Sequence, residues 1–294
     1  MKKTIIVAFA ILAATSLANA SIIYAPNNLP RPYPFSGSDE LVMFDSSSPA
    51  DFVVVGSMNV PNISFGGMDF DADGNLWAYA SLYKNTGGAA SGLYSVNVDT
   101  GAATRIGSST QPLDDLAFNP VEDTMYGIRQ QGADTRLFQV NLTTGATSLV
   151  GSFTGLSSTP GAIGLAIDSQ GNFYVHDNRE DKIYKGSGLA MTELYSLTQD
   201  TAYSQGMSID WSRDDLGYHG AVGQGEYPDY FSQINTFASD GSSYVLGPDF
   251  GPVEHFPGDV FGYPLVEPGD IAILPVPEPS SFLLLSVLML LRRR

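Results

Sequence analysis

Asp69-Phe70-Asp71-Ala72-Asp73-Gly74-Asn75 sets three carboxylates at alternate positions ahead of a glycine, as loops that wrap oxygen ligands around Ca2+ begin. The pattern then departs from such a loop, because its twelfth position is Ala80, where a bidentate Glu belongs. Asp71 to Asn75 also lines up with Asp168-Ser169-Gln170-Gly171-Asn172, which carries fewer acids. The shared element is therefore expected to be a hairpin turn, with a weak Ca2+ site at Asp69, Asp71 and Asp73 as the alternative. His176 and His219 fall at similar places, each just past a strand bearing a tyrosine, and Asp177 follows the first. Imidazoles and a carboxylate gathered at one end of a fold could hold a divalent metal or move a proton. Solvated loop positions in an acidic protein are the simpler expectation for them. His255 lies in the Pro-rich stretch 247–258 with no evident partner. Trp77, Tyr79, Tyr126, Tyr174 and Tyr218 could stack on sugar rings, but their strand positions favour packing. Tyr227 and Tyr230 look exposed. The sequence shows no Ser-His-Asp arrangement, phosphate loop or dinucleotide fingerprint.

The elements that would position these residues are repeated. Segment 93–108, LYSVNVDTGAATRIGS, returns as LFQVNLTTGATSLVGS at 137–152. Each reads as a strand of period two, a turn ending in Thr-Gly, and a second strand. The glycine supplies the positive φ that a tight hairpin needs. A second unit interleaves with the first: Met68-Asp69-Phe70-Asp71, Leu116-Ala117-Phe118-Asn119, Leu165-Ala166-Ile167-Asp168 and Met207-Ser208-Ile209-Asp210. A polar turn and an aromatic strand follow each. Two hairpins per unit of about 46 residues predict an all-β fold, a β-propeller of four-stranded blades.

Four full units plus one blade shared between the ends give five blades, or six if the poorly periodic stretch 238–274 holds another. In the shared blade, residues 40–45 and 52–57 are expected to form the second hairpin, and residues 260–263 and 270–274 the first. Closing the ring this way would remove the exposed edges of an open array. Over residues 60–215 the pattern LxFD…GxLY…LYxVNxxTGxxxxVGS resembles the quinoprotein-like and seven-bladed-propeller-like modules of exported bacterial proteins. That resemblance implies a fold and little about function.

Both ends read as targeting signals. Met1-Lys2-Lys3, the apolar run Ile5–Leu12 and the small residues Ala18 and Ala20 form a signal peptide over 1–20, with Ser21 as the first mature residue. At the other end, Pro277-Glu278-Pro279 precedes an apolar run of ten residues, Phe282 to Leu291, and then Arg292, Arg293 and Arg294. Ten residues are short for a spanning helix, which needs about twenty. Residues 276–294 resemble the PEP-CTERM sorting signal. The resemblance implies export through the secretion translocon, a transient inner-membrane anchor through a short C-terminal helix, and cleavage by an exosortase-type enzyme. The expected organisation is a signal peptide at 1–20, a propeller at 21–274 and a sorting signal at 275–294.

Between those ends, nine basic and thirty acidic residues leave a net charge of about −21. Such a body repels nucleic acid, and neutral glycans, cations or basic protein surfaces suit it better. The chain has no cysteine, so disulfides, thiol catalysis and cysteine-ligated metals are excluded. The expected function is that of an exported, non-catalytic surface or matrix protein that binds exopolysaccharide or a surface protein. The competing expectation is an extracellular lyase- or lactonase-like propeller enzyme with a central divalent metal.

Overall fold

A computed structural model of the chain describes residues 21–27, 38–61, 63–81, 91–107, 111–158, 160–201, 206–224, 230–250, 254–255, 262–263 and 270–275. Five four-stranded antiparallel sheets form the blades. Blade I combines β1 (Ile22–Asn27), β2 (Glu40–Asp45) and β3 (Val53–Ser57) with a strand from the far end of the chain. Blade II is β4 (Ser64–Phe70), β5 (Leu76–Ser81), β6 (Gly92–Val96) and β7 (Ala103–Ile106). Blade III is β8 (Asp115–Asn119), β9 (Thr124–Gln131), β10 (Asp134–Val140) and β11 (Thr147–Ser152). Blade IV is β12 (Ala162–Ile167), β13 (Phe173–Asp177), β14 (Lys182–Gly186) and β15 (Thr192–Ser196). Blade V is β16 (Met207–Ile209), β17 (Leu216–Gln224), β18 (Tyr230–Ala238) and β19 (Tyr244–Val245). A two-stranded ribbon follows, β20 (Glu254–His255) with β21 (Gly262–Tyr263), and β22 (Ala272–Ile273) completes blade I.

The ring closes. β22 is the innermost strand of blade I and pairs with β1, Ile23 opposite Ile273 and Tyr24 opposite Ala272. The five innermost strands β4, β8, β12, β16 and β22 pack against one another in cyclic order. Five apolar clusters fill the five seams between blades. Aromatic pairs lock four of them: Tyr24–Phe70 between blades I and II, Tyr126–Phe173 between III and IV, Tyr174–Phe237 between IV and V, and Phe44–Phe250 between I and V. Rings packed edge-on in three of these pairs and tilted in Tyr174–Phe237 add to the burial energy of the seams. Tyr79, Tyr126, Tyr174 and Tyr218 are buried there, and Trp77 packs beside Tyr79, as their strand positions imply.

The repeated Asn-x-x-Thr-Gly explains itself locally. Asn97 Oδ1 accepts from the amides of Asp99 (3.0 Å) and Thr100 (2.9 Å), and the Gly101 amide returns to the Asn97 carbonyl at 2.8 Å. Asn141 does the same for Thr143, Thr144 and Gly145. Each Thr-Gly turn then nests against a glycine closing the outer strand of the preceding blade: Thr100-Gly101 on Gly56, and Thr144-Gly145 on Gly107. Gly107 has φ +65° and no room for a β-carbon against the Thr144 carbonyl, whereas Gly74, at φ +78°, faces open space. We therefore expect Gly107→Ala to cost on the order of 3 kcal/mol, since strain and collision add. Gly74→Ala, with strain alone, costs roughly 1–2 kcal/mol. Urea unfolding of the two variants makes the comparison.

The shared blade differs from its expected composition. Its inner strand does come from residues 270–274, but the second strand is β1, near the other end of the described residues. Residues 262–263 pair with β20 instead. The run IIYAPN lacks period-two alternation and carries Pro26, so it shows no local strand signal. The expected signal peptide and C-terminal helix, with Ala18, Ala20, Pro277, Glu278, Pro279 and the terminal arginines, lie outside the described residues. Among the described residues no helix is long and apolar enough to cross a membrane.

Candidate functional site

The three acids of the calcium-like stretch do not converge. Asp71 is turned onto its own hairpin: Oδ1 accepts from the amides of Asp73 (3.0 Å) and Asn75 (2.9 Å), and Oδ2 from Trp77 Nε1 (2.9 Å). Asp168 repeats this in blade IV with Gln170, Asn172 and Tyr174 Oη. The turn reading therefore describes the geometry. Asp73 is exposed, and Asp69 lies on β4 pointing into the next blade. Among the described residues no group of three His, Asp or Glu side chains could hold a metal ion.

Asp69 belongs to a different constellation. Its Oδ1 accepts from the Phe70 amide at 2.9 Å and its Oδ2 from Phe118 of blade III at 2.7 Å. Asp115 joins Leu116 to Leu165 of blade IV in the same manner, and Asp270 joins Ile271 to Met68 of blade II. Inner-strand amides have no further strand to pair with, so these carboxyls supply the acceptors that a buried amide needs. Gly67 and Gly206 occupy the positions equivalent to Asp115 and Asp270, and there they let neighbouring inner strands approach, since a β-carbon would meet Asp115 or Asp270 backbone.

Asp115 and Asp270 are fully buried and hydrogen-bonded to each other across the ring. A carboxyl–carboxyl hydrogen bond requires a proton, so the pair holds one proton between two acids. Burial first, and the neighbouring carboxyl second, push the Asp115 carboxyl well above its ordinary range. Burial does the same at Asp270, and it raises Asp69 to about 7. The sequence holds a signal for Asp115 and Asp270. Stepping back one residue in each inner-strand motif gives Gly67, Asp115, Gly164, Gly206 and Asp270, two acids in a row of glycines.

His176 and His219 do come together, but not as solvated loop residues. Both lie on second strands, β13 and β17, and both are fully buried in the seam between blades IV and V, their rings 4.3 Å apart. The reason is strand length: β13 runs through Asp177 and β17 through Gln224, beyond the expected loop starts. Asp177 does not join them. It accepts from the amides of Gly161 (2.8 Å), Arg179 (3.1 Å) and Glu180 (3.3 Å), and from Ser157 Oγ at 3.2 Å.

Hydrogen-bond direction fixes both imidazoles. Thr201 donates its one hydroxyl proton to Asp181 at 2.7 Å, so its oxygen accepts from His176 Nε2–H at 3.2 Å. His176 Nδ1 then keeps a bare lone pair. On the other side, Asn235 donates to Tyr244 Oη at 2.9 Å, and Tyr244 donates to His219 Nδ1 at 2.8 Å. His219 thus carries its proton on Nε2. His176 Nδ1 and His219 Nε2 meet no polar partner among the described residues. Burial holds both rings neutral, His219 pulled down to about 3 and His176 well below the usual imidazole range, where the neighbouring His219 adds to the effect.

Five four-stranded blades closed by strands from both ends define a five-bladed β-propeller. Residues 109–223, the span of blade III, blade IV and the start of blade V, match a family model described as a repeat of unknown function (DUF6923). No curated protein sequence matches the chain. Among solved structures, TolB from Acinetobacter baumannii is similar at 14% identity and a TM-score of 0.45, over 80% of this chain and 54% of that one. The chain thus spans about half the length of TolB. A nidogen/laminin complex structure is similar at 12% identity and a TM-score of 0.49, over 87% of this chain and 98% of that one. A putative 6-phosphogluconolactonase from Bacteroides uniformis gives 12% identity and a TM-score of 0.43, over 79% and 68%. None of these similarities bears on the chemistry of this chain.

Proposed function

We propose that this chain is an exported, non-catalytic propeller, sorted to the cell envelope by its PEP-CTERM-like tail and an exosortase-type enzyme, where it binds glycan or protein. One observation carries the reading. The closed ring begins at Ile22 and ends at Ile273, just inside the two processing boundaries that the terminal signals imply. A ring closed within those limits needs neither targeting segment to hold itself together. The acidic body favours neutral glycans or basic protein surfaces as ligands. The ionisable candidates support a binding role, because Asp69, Asp71, Asp115, Asp177 and Asp270 all use their oxygens on backbone amides of the ring. The metal-dependent enzyme reading asks His176, Asp177 and His219 to converge, and Asp177 turns away.

Fractionation of cells with and without the exosortase-type enzyme tests the sorting. With it, the product is expected to lose the mass of the C-terminal segment, including Arg292 to Arg294, and to leave the inner membrane. A product that keeps its arginines in both strains contradicts the reading. Retention of residues 21–274 on exopolysaccharide extracted from the same cells tests the binding.

A further inference from the structure

Ser21 is built into the fold at a place where the other blades make a different bond. In blades II and IV the turn aspartate bonds directly to the aromatic on the second strand, Asp71 to Trp77 and Asp168 to Tyr174. Register makes Tyr218 the counterpart in blade V, since Trp77, Tyr174 and Tyr218 face Asp69, Ala166 and Ser208 at equivalent inner-strand positions. There Ser21 is inserted between the two partners. Its Oγ donates to Asp210 Oδ2 at 2.7 Å and lies 3.0 Å from Tyr218 Oη. Ser21 N donates to Ser46 Oγ at 3.1 Å, and Ser46 N returns to the Ser21 carbonyl at 3.0 Å. Ser21 and Asp210 are buried, in the seam where blade V meets the first strand of blade I.

We propose that this site holds the α-ammonium group created at Ser21 when the Ala20–Ser21 bond is cleaved. The proposal rests on the signal-peptide reading and adds a receptor for its product. Hydrolysis of that amide by a signal-peptidase-type enzyme puts the water oxygen on the Ala20 carbonyl carbon, as a carboxylate, and leaves Ser21 N as an amine that takes up a proton. The one amide proton now directed at Ser46 becomes three. Covalent geometry keeps Ser21 N within roughly 4 Å of its own Oγ, which is itself 2.7 Å from Asp210 Oδ2, so the new charge lies within roughly 7 Å of that carboxylate. Arg213 Nε, 3.8 Å from Asp210 Oδ2, is the competing cation. Asp45 is occupied with Ser47. Docking of the ammonium would add a charged contact to the tie between the start of blade I and blade V once the leader has left.

The test uses the processed protein from exporting cells. Intact mass and N-terminal sequencing are expected to give Ser21 as the first residue; another start, or none, overturns the cleavage reading itself. Labelling of the α-amine with an acylating reagent at neutral pH then tests the site. The wild type is expected to react at least tenfold more slowly than Asp210→Asn, and than a chain with one extra glycine ahead of Ser21. The extended chain leaves every site residue unchanged, so it reports even if Asp210→Asn fails to fold. Equal labelling rates in wild type and extended chain overturn the docking while leaving the cleavage reading intact.

Discussion

Asp270→Ala lowers the stability of the ring by roughly 3–5 kcal/mol, the range seen when one partner of a buried, hydrogen-bonded pair is removed. For a body of this size that is a fall in Tm on the order of 10 °C. The change strips the Met68 and Ile271 amides of their acceptor and leaves Asp115 without the group that shares its proton. Asp115→Ala acts likewise on Leu116 and Leu165. Because the two acids hold one proton jointly, the double variant costs less than the sum of the singles. Urea titrations of the four proteins at one pH give the coupling directly. Additive losses would mean that the two carboxyls act separately.

Acid weakens the seam between blades IV and V. His219 is held down to about 3 and His176 is depressed as well, while both titrate in the ordinary imidazole range once unfolded. Between those limits the unfolded chain binds more protons than the folded one. The contribution of the pair is therefore fully present above about pH 6.5 and is lost as pH falls toward 3. Two such groups together set a slope of up to about 2.7 kcal/mol per pH unit. The central carboxyls act in the opposite sense. Their folded pKa values are raised, Asp69 to about 7, so their contribution is greatest when protonated and is lost as pH rises through 7. The two effects therefore oppose each other between about pH 4 and 6.5 and flatten the pH dependence there. His176→Phe, which keeps a flat ring in the seam, should lower the slope of stability against pH by up to about 1.4 kcal/mol per pH unit, read from urea unfolding between pH 4 and 7. An unchanged slope would show that other groups set the acid limb.

The hairpins were legible because their signals are local. Period-two alternation in LYSVNV and LFQVNL, and a positive-φ glycine after each Thr, specify strand, turn and strand without help from the rest of the chain. Blade I was legible only in part, since β1 and β22 lie at opposite ends of the sequence and β22 is just two residues long. No local pattern reports such a pairing. The calcium-like spacing groups Asp69, Asp71 and Asp73, yet Asp69 lies within β4 and reaches the next blade, while Asp71, past the end of that strand, stays with its turn. Repeat position puts His176 and His219 at similar places, but their burial depends on how far β13 and β17 run, and tertiary packing sets that length.

The ring is closed by strands from the two ends of the body. The absence of cysteine makes that closure testable with paired cysteines at Ile23 and Ile273, and separately at Tyr24 and Ala272. Alternation along an antiparallel ladder makes one of these neighbouring pairs non-hydrogen-bonded, with α-carbons about 4.5 Å apart, within disulfide reach. Mild oxidation of the folded protein is expected to join at least one pair, seen as a two-dalton loss in intact mass and faster migration on a non-reducing gel. Two freely titratable thiols in both variants, in protein that still melts cooperatively, would contradict the closed five-bladed ring.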